Sequence, residues 1–400
     1  MRKNGVNREL RELEGGVCAP SGFRAAATYC GIGDNPEKPD LGLIMAERRC
    51  PVACMYAERV CGAPSEVTKR HVSNGLAQAI LVNSDYANVF QENAKEITVK
   101  ASRLLAKSAG SDAMDTVMAS TGKISKELSL EPFEFGIPNL VAGLGATHEH
   151  SLSVAEAIRT TDKRAKQLSY SFELGDYECK IGAVFKGNLC ICPNMATMLV
   201  FLTTDVNITT EMLQNALRVA VNDSLNLLNL DGVSSPNDLV CILANGKAGN
   251  YRIACEDSEY KKFVYALKET LREICKALAS DEIDKNRSIS FKVMGAKSLK
   301  EARSIAKTLA SSLSIRRSIG KEGLDVDGIY RAVAQEKGSA PLGMYIAIRS
   351  KTGSFVALEE GEFLPITEES FHRVYEDREV VLEIRLSDGN YSATSYSCAL

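Results

Sequence analysis

Apolar residues recur at helical spacing through Phe90–Ala109, Met212–Leu228 and Tyr260–Leu278, and each run predicts an amphipathic helix. Shorter apolar blocks predict strands at Lys180–Phe185, Met198–Thr203, Leu239–Ala244, Ile289–Val293, Met344–Arg349 and Val380–Leu386. Val67–Asp85 mixes short helical and strand signals. Gly-rich or charged connectors fall near Asn245–Asn250 and Ser318–Asp327. No repeat and no low-complexity segment interrupts this order, which is that of a mixed α/β chain. At 400 residues, 45% hydrophobic and 25% charged, the chain can bury a large core and is expected to form two lobes.

Charge removes several function classes. The net charge is −3, with lysines and arginines spread along the chain, which argues against a nucleic-acid surface. No stretch reaches the ~18 to 20 consecutive apolar residues that a membrane span needs. The start, MRKNGVNRELRELEGG, lacks an apolar targeting core and carries Glu9, Glu12 and Glu14, so a cytoplasmic location is expected. The 12 cysteines lack paired zinc-ligand spacing; Cys50 and Cys54 are expected as buried thiols, and neither a metal nor a cofactor is expected. Cys190 and Cys192 stand out only by lying in the segment discussed next, near Thr197.

That segment is Lys186–Val206, KGNLCICPNMATMLVFLTTDV, in which Thr197 follows the small residue Ala196. Attack of the Thr197 hydroxyl on the Ala196 carbonyl would turn the amide into an ester. Hydrolysis would then free Thr197 as a new N-terminus. Its α-amine, with a pKa of ~7.7 to 8.0, would serve as base for the neighbouring hydroxyl. No histidine is then needed, and the four present, His71, His148, His150 and His372, lie in no nucleophile motif. The alternative is a core strand in which threonine was selected for β-propensity.

The order Lys-Gly, Pro-Asn-Met-Ala-Thr-Met-Leu, Thr-Thr-Asp resembles the ornithine acetyltransferase family, the bifunctional glutamate N-acetyltransferases of arginine biosynthesis. Further blocks follow in that family's order: Gly22–Ala26, Asn83-Ser84 with Ala87-Asn88, Ser120-Thr121-Gly122, Gly136-Ile137-Pro138, Thr160-Thr161-Asp162, Asp231-Gly232 with Asn237-Asp238, Gly295-Ala296 and Glu301-Ala302. The resemblance implies β-sheets stacked between helical layers. It implies self-cleavage between Ala196 and Thr197 into intertwined chains, 1–196 and 197–400, and a homo-oligomer of the cleaved pairs. It implies Thr197 as nucleophile, Thr121 and Gly122 as the oxyanion hole, and Lys186 as the partner of a substrate carboxylate. The implied reaction moves an acetyl group from N-acetylornithine to glutamate through an acetyl-threonine ester, with a small N-acyl amino acid as substrate.

Recognition positions depart from the family pattern. Lys163 stands where the family has a substrate-touching threonine, and Asn188-Leu189-Cys190 replace Ser-Gly-Met. Around Ser280–Arg287 the family's amine-binding glutamate has no clean counterpart; Glu282 and Asp284 are the candidates. The family's tryptophan block reads Leu324–Ile329, and the chain ends Ser397-Cys398-Ala399-Leu400 without the family's carboxylate-binding tail. Each lost ligand is expected to cost about 1.5 to 3 kcal/mol, with Lys163 and Arg287 as compensating candidates. A related N-acyl amino acid transferase or amidohydrolase, or a non-catalytic relative, stays open beside the arginine-pathway enzyme.

Overall fold

A computed structural model of the chain describes residues 10–57, 60–124, 127–187, 197–230, 235–281, 287–338 and 343–400. The chain divides into two compact units, Met1–Ala220 with Val233–Thr270, and Val221–Gly232 with Leu271–Leu400.

Nine strands of the first unit form one sheet: β1 Arg11–Glu12, β2 Phe23–Thr28, β3 Leu41–Tyr56, β4 Leu76–Asn83, β5 Thr116–Ser120, β6 Lys166–Leu174, β7 Tyr177–Lys186, β8 Leu199–Thr204 and β9 Leu239–Ala244. Their order is β1-β6-β7-β8-β9-β3-β4-β5, with β2 on the other edge of β3. Strand β3 runs 16 residues and serves three neighbours: Leu41–Ala46 pair with β2 on one side, Leu41–Met45 and Cys50–Pro51 pair with β4 on the other, and Val52–Tyr56 pair with β9. Its register shifts between Met45 and Cys50, and the intervening Glu47-Arg48-Arg49 are exposed. A bulge of this kind bends a strand.

Side chains alternate between two cores, as strand geometry requires. Ile44, Ile80, Val82 and Val117 of β3–β5 share one core with Val184, Leu199, Phe201 and Leu243 of β7–β9. Leu43, Met45, Leu81 and Met118 point the other way, onto Ile97, Ala101 and Leu105 of helix α2 and Phe133, Ile137 and Leu140 of helix α3. The helices are α1 Ala63–His71, α2 Ala94–Ala109, α3 Glu131–Ala142, α4 His148–Ile158, α5 Thr210–Asn222 and α6 Ser258–Ala279. The mixed α/β architecture of two sheets and helices is as expected.

The second unit carries a six-stranded sheet, ordered β13-β12-β11-β14-β10-β15, from β10 Ser288–Ala296, β11 Tyr345–Arg349, β12 Ser354–Glu359, β13 Glu362–Phe363, β14 Glu379–Arg385 and β15 Tyr391–Cys398. Its core joins Ile289, Phe291 and Val293 of β10 to Ile305 and Leu309 of α7 Leu299–Ser311, Ile315 of α8 Leu313–Gly320, Ile329 of α9 Val326–Lys337 and Val374 of α10 Glu368–Tyr375.

Predicted strands lie within two residues of the observed ones, save that β7 and β10 extend further at one end. One predicted helix starts late and another stops early. Helix α2 begins at Ala94 because Asn88 and Phe90 hold positive φ, 52° and 62°, outside helical space. Helix α5 ends at Asn222 because Ser224 breaks it at φ −143°, ψ −91°. Cys50 and Cys54 are buried as expected, and burial pushes the Cys50 thiol up to about 12. No helix among the described residues is long and apolar enough to cross a membrane.

Candidate active site

Strands β7 and β8 run antiparallel with Lys186 opposite Leu199. The C-terminal end of β7 therefore meets the N-terminal end of β8, and Lys186 and Thr197 arrive at one end of the sheet.

Thr197 is 4% exposed, and its Oγ1 lies 2.8 Å from Ser235 Oγ. The backbone around it is pinned. Met198 N donates to Asp238 Oδ1 at 2.8 Å, and Leu239 N donates to Met198 O at 3.1 Å.

Thr121 and Gly122 leave the end of β5. The Thr121 amide is committed to Asn83 O at 3.0 Å, while Asn83 Oδ1 accepts from Ser120 Oγ at 2.6 Å. Gly122 holds φ 129°, and a Cβ there would sit 2.2 Å from the carbonyl carbon of Asp85. Only glycine fits this turn without displacing the neighbouring loop.

Lys186 is 1% exposed. Its Nζ donates to Thr160 Oγ1 at 2.7 Å and to Thr121 Oγ1 at 3.3 Å, and lies 3.6 Å from Asp162 Oδ2. The other carboxylate oxygen of Asp162 accepts from Lys166 Nζ at 2.8 Å and from Gly187 N at 2.7 Å. Burial pushes the Asp162 carboxyl up, but Lys186, Lys166 and the two hydrogen bonds to Oδ1 outweigh it and hold the group at about 2. A hydroxyl has one proton and two lone pairs, so Thr121 Oγ1, accepting from an ammonium, keeps its proton for another acceptor. A buried cation behind an O–H donor is suited to a developing oxyanion.

The ArgJ family model matches residues 24–400 of the chain. The chain belongs to the ArgJ family. Its relatives include a glutamate N-acetyltransferase of Methanothermobacter thermautotrophicus, 34% identical over 98% of this chain and 96% of that protein. An arginine biosynthesis bifunctional protein ArgJ of Symbiobacterium thermophilum is 33% identical over 97% of this chain and 96% of its own length. The crystal structure of arginine biosynthesis bifunctional protein argJ from Bacillus halodurans is 29% identical, covering 47% of this chain and 98% of that one, with a TM-score of 0.43. The family read from the ordered motifs is therefore the family found.

Other expected site residues of this ArgJ member fall differently. Lys163 is exposed on the bend after Asp162. Arg287 is engaged within the second unit: its guanidinium donates to Tyr375 O at 3.1 Å from Nε, pairs with Glu322 at 2.8 Å and stacks over the Tyr375 ring. That makes it a structural residue of that unit rather than a free compensating cation. Ala196, Glu282 and Asp284, with Asn188, Leu189, Cys190 and Cys192, lie outside the described residues. Among the described residues no group of three or more His, Cys, Asp or Glu side chains could hold a metal.

Sequence reasoning assigned no role to Thr160, Asp162, Lys166, Ser235 or Asp238. The Thr160-Thr161-Asp162 and Asn237-Asp238 blocks were visible as motifs; Lys166 and Ser235 carried no signal of their own.

Proposed function

We propose that this ArgJ-family chain is an N-acetyltransferase that moves an acetyl group from N-acetylornithine to glutamate through an ester on Thr197. The observation that carries this reading is the hydrogen bond from the buried Lys186 ammonium to the Thr121 hydroxyl, at the end of β7 where it meets β8 and Thr197. Thr197 attacks the acyl carbon, and Thr121 and Gly122 take the negative charge on its oxygen. The deacylated amine leaves, and glutamate accepts the acetyl group. Lys186 supports the Thr121 hydroxyl and supplies positive charge toward a substrate carboxylate. The name of the relative supplies glutamate as the acetyl acceptor, the resemblance supplies N-acetylornithine, and the site supplies the acyl chemistry.

The same reading includes self-cleavage between Ala196 and Thr197, giving chains 1–196 and 197–400. These chains do not match the two compact units, because the first unit takes β1–β7 from one chain and β8–β9 from the other. The two chains then stay joined by the β7–β8 ladder. A homo-oligomer of such pairs, working in the cytoplasm, completes the proposal.

A second reading, an N-acyl amino acid transferase or amidohydrolase of altered specificity, is favoured by the exposed cation Lys163 beside Asp162, where the family pattern has a threonine. The two readings separate in one assay. Purified protein given N-acetylornithine and glutamate should yield N-acetylglutamate, and denaturing mass analysis should show two fragments split before Thr197. A cleaved protein that leaves this pair unreacted sinks the arginine-pathway substrates but not the acyl chemistry; an intact chain sinks the cleavage.

A further inference from the structure

The hydroxyl of Thr197 has a second hydroxyl against it, that of Ser235, at 2.8 Å. Ser235 does not occupy this position loosely. Its amide donates to Asp238 Oδ2 at 2.9 Å, and its Oγ accepts from the amide of Asn237 at 3.3 Å. The other oxygen of the same carboxylate takes the amide of Met198, at 2.8 Å. One aspartate thus holds both the residue after Thr197 and the residue that bears the partner hydroxyl. Asn237 Nδ2 ties the turn to Ala87 O at 2.6 Å, and Leu239 pairs with Leu199 in the parallel β8–β9 ladder. The backbone segments that bear the two hydroxyls are therefore held together by the Asp238 carboxylate and by the β8–β9 ladder. A serine that merely capped its own turn would need the Asn237 contact alone.

We propose that Ser235 is a catalytic residue that relays the proton of the Thr197 hydroxyl, with Asp238 as its positioning residue. This rests on Thr197 being the nucleophile. As the Thr197 Oγ1–C bond forms and the acyl C–N bond breaks, the Thr197 proton passes to Ser235 Oγ. The proton that Ser235 carried passes on to the departing nitrogen. Ser235 ends as it began, and no further reactant enters. The two transfers offset each other in charge, so no serine alkoxide or oxonium accumulates. The relay serves the uncleaved chain in particular, since there the nitrogen of Thr197 is an amide and cannot act as base.

The test compares full-length wild type with Thr197→Ala, Ser235→Ala, Ser235→Thr and Asp238→Asn. Cleavage is followed by denaturing mass analysis, and transfer by kcat, KM and their pH profile with N-acetylornithine and glutamate. Ser235→Ala should slow cleavage and lower kcat by about 10²-fold or more, the usual range for a general acid–base group, with KM within about two-fold and an altered kcat pH profile. Ser235→Thr, which keeps the hydroxyl, should recover most of both rates; Asp238→Asn should lose both in part. A Ser235→Ala protein that cleaves and transfers like wild type, beside an inactive Thr197→Ala, overturns the relay and leaves the nucleophile standing. Equal loss in Ser235→Ala and Ser235→Thr also overturns it, because packing would then explain the effect. Activity in Thr197→Ala overturns both.

Discussion

Lys186 and Asp162 form a buried ion pair, 3.6 Å from Nζ to Oδ2, with both side chains 2% exposed or less. Lys166 completes it from the other oxygen, so two ammonium groups share one carboxylate. The Lys186 ammonium lies behind the Thr121 hydroxyl, and the consequences of the pair can be measured.

Replacing Lys186 with Met should lower kcat and, through the charge lost toward the substrate carboxylate, raise KM. Thr121 loses the donor that orients its hydroxyl, and loss of one oxyanion-hole donor typically costs about 10²- to 10³-fold in kcat. Asp162 keeps Lys166 and the Gly187 amide, so stability should fall by only about 1 to 3 kcal/mol. Steady-state kinetics beside urea unfolding would separate the two; an unchanged kcat would remove Lys186 from the oxyanion argument.

Asp162→Asn removes the carboxylate charge that two buried lysines share. Breaking a buried pair from one side costs about 3 to 5 kcal/mol, so a large drop in Tm is expected. Acid dependence follows from the same group. The folded carboxyl sits at about 2, below its ordinary 3.8, so its stabilisation is fully present above the ordinary value and is lost as pH falls from there through the folded value. That contribution is roughly 2 kcal/mol, and the asparagine variant should lack it when unfolding is measured from pH 5 down to pH 2.

His71 gives a second, milder pH dependence. It is buried with Nδ1 3.0 Å from Thr116 O, and burial pushes its pKa below the ordinary 6.5. The folded state thus favours the neutral ring. Stability should fall as pH drops below the ordinary histidine value, and His71→Gln should flatten that slope in unfolding curves between pH 8 and pH 5.

Gly122→Ala tests the oxyanion turn. Positive φ and the 2.2 Å approach to Asp85 leave no room for a methyl group, so the loop must move. An activity loss of about 10²-fold or more is expected, along with about 1 to 3 kcal/mol of strain. Wild-type kinetics in this variant would show that Gly122 lies away from the reacting carbonyl.

Strands such as β9 were readable because polar residues bound a short apolar block on each side, Asn237-Asp238 before it and Asn245 after. Strand β3 was not readable from periodicity because Glu47-Arg48-Arg49 interrupt its apolar run at the register shift. Helix α3 was hidden by Pro132, Gly136 and Pro138, residues that usually end helices. At the site, Thr197, Thr121, Gly122 and Lys186 were legible through motifs. Ser235 was not, because only the parallel pairing of β8 with β9 brings it to Thr197 from 38 residues away.

The place of β8 between β7 and β9 has a consequence for folding order. Cutting the chain before Thr197 removes no hydrogen bond between these strands, so the native assembly persists after the cut. Its return from the denatured state does not. An uncut chain refolds as one molecule, at a rate independent of concentration, whereas the two pieces must first collide. The proposed cleavage would act as a ratchet: it would follow folding and leave a molecule whose recovery from denaturation slows on dilution.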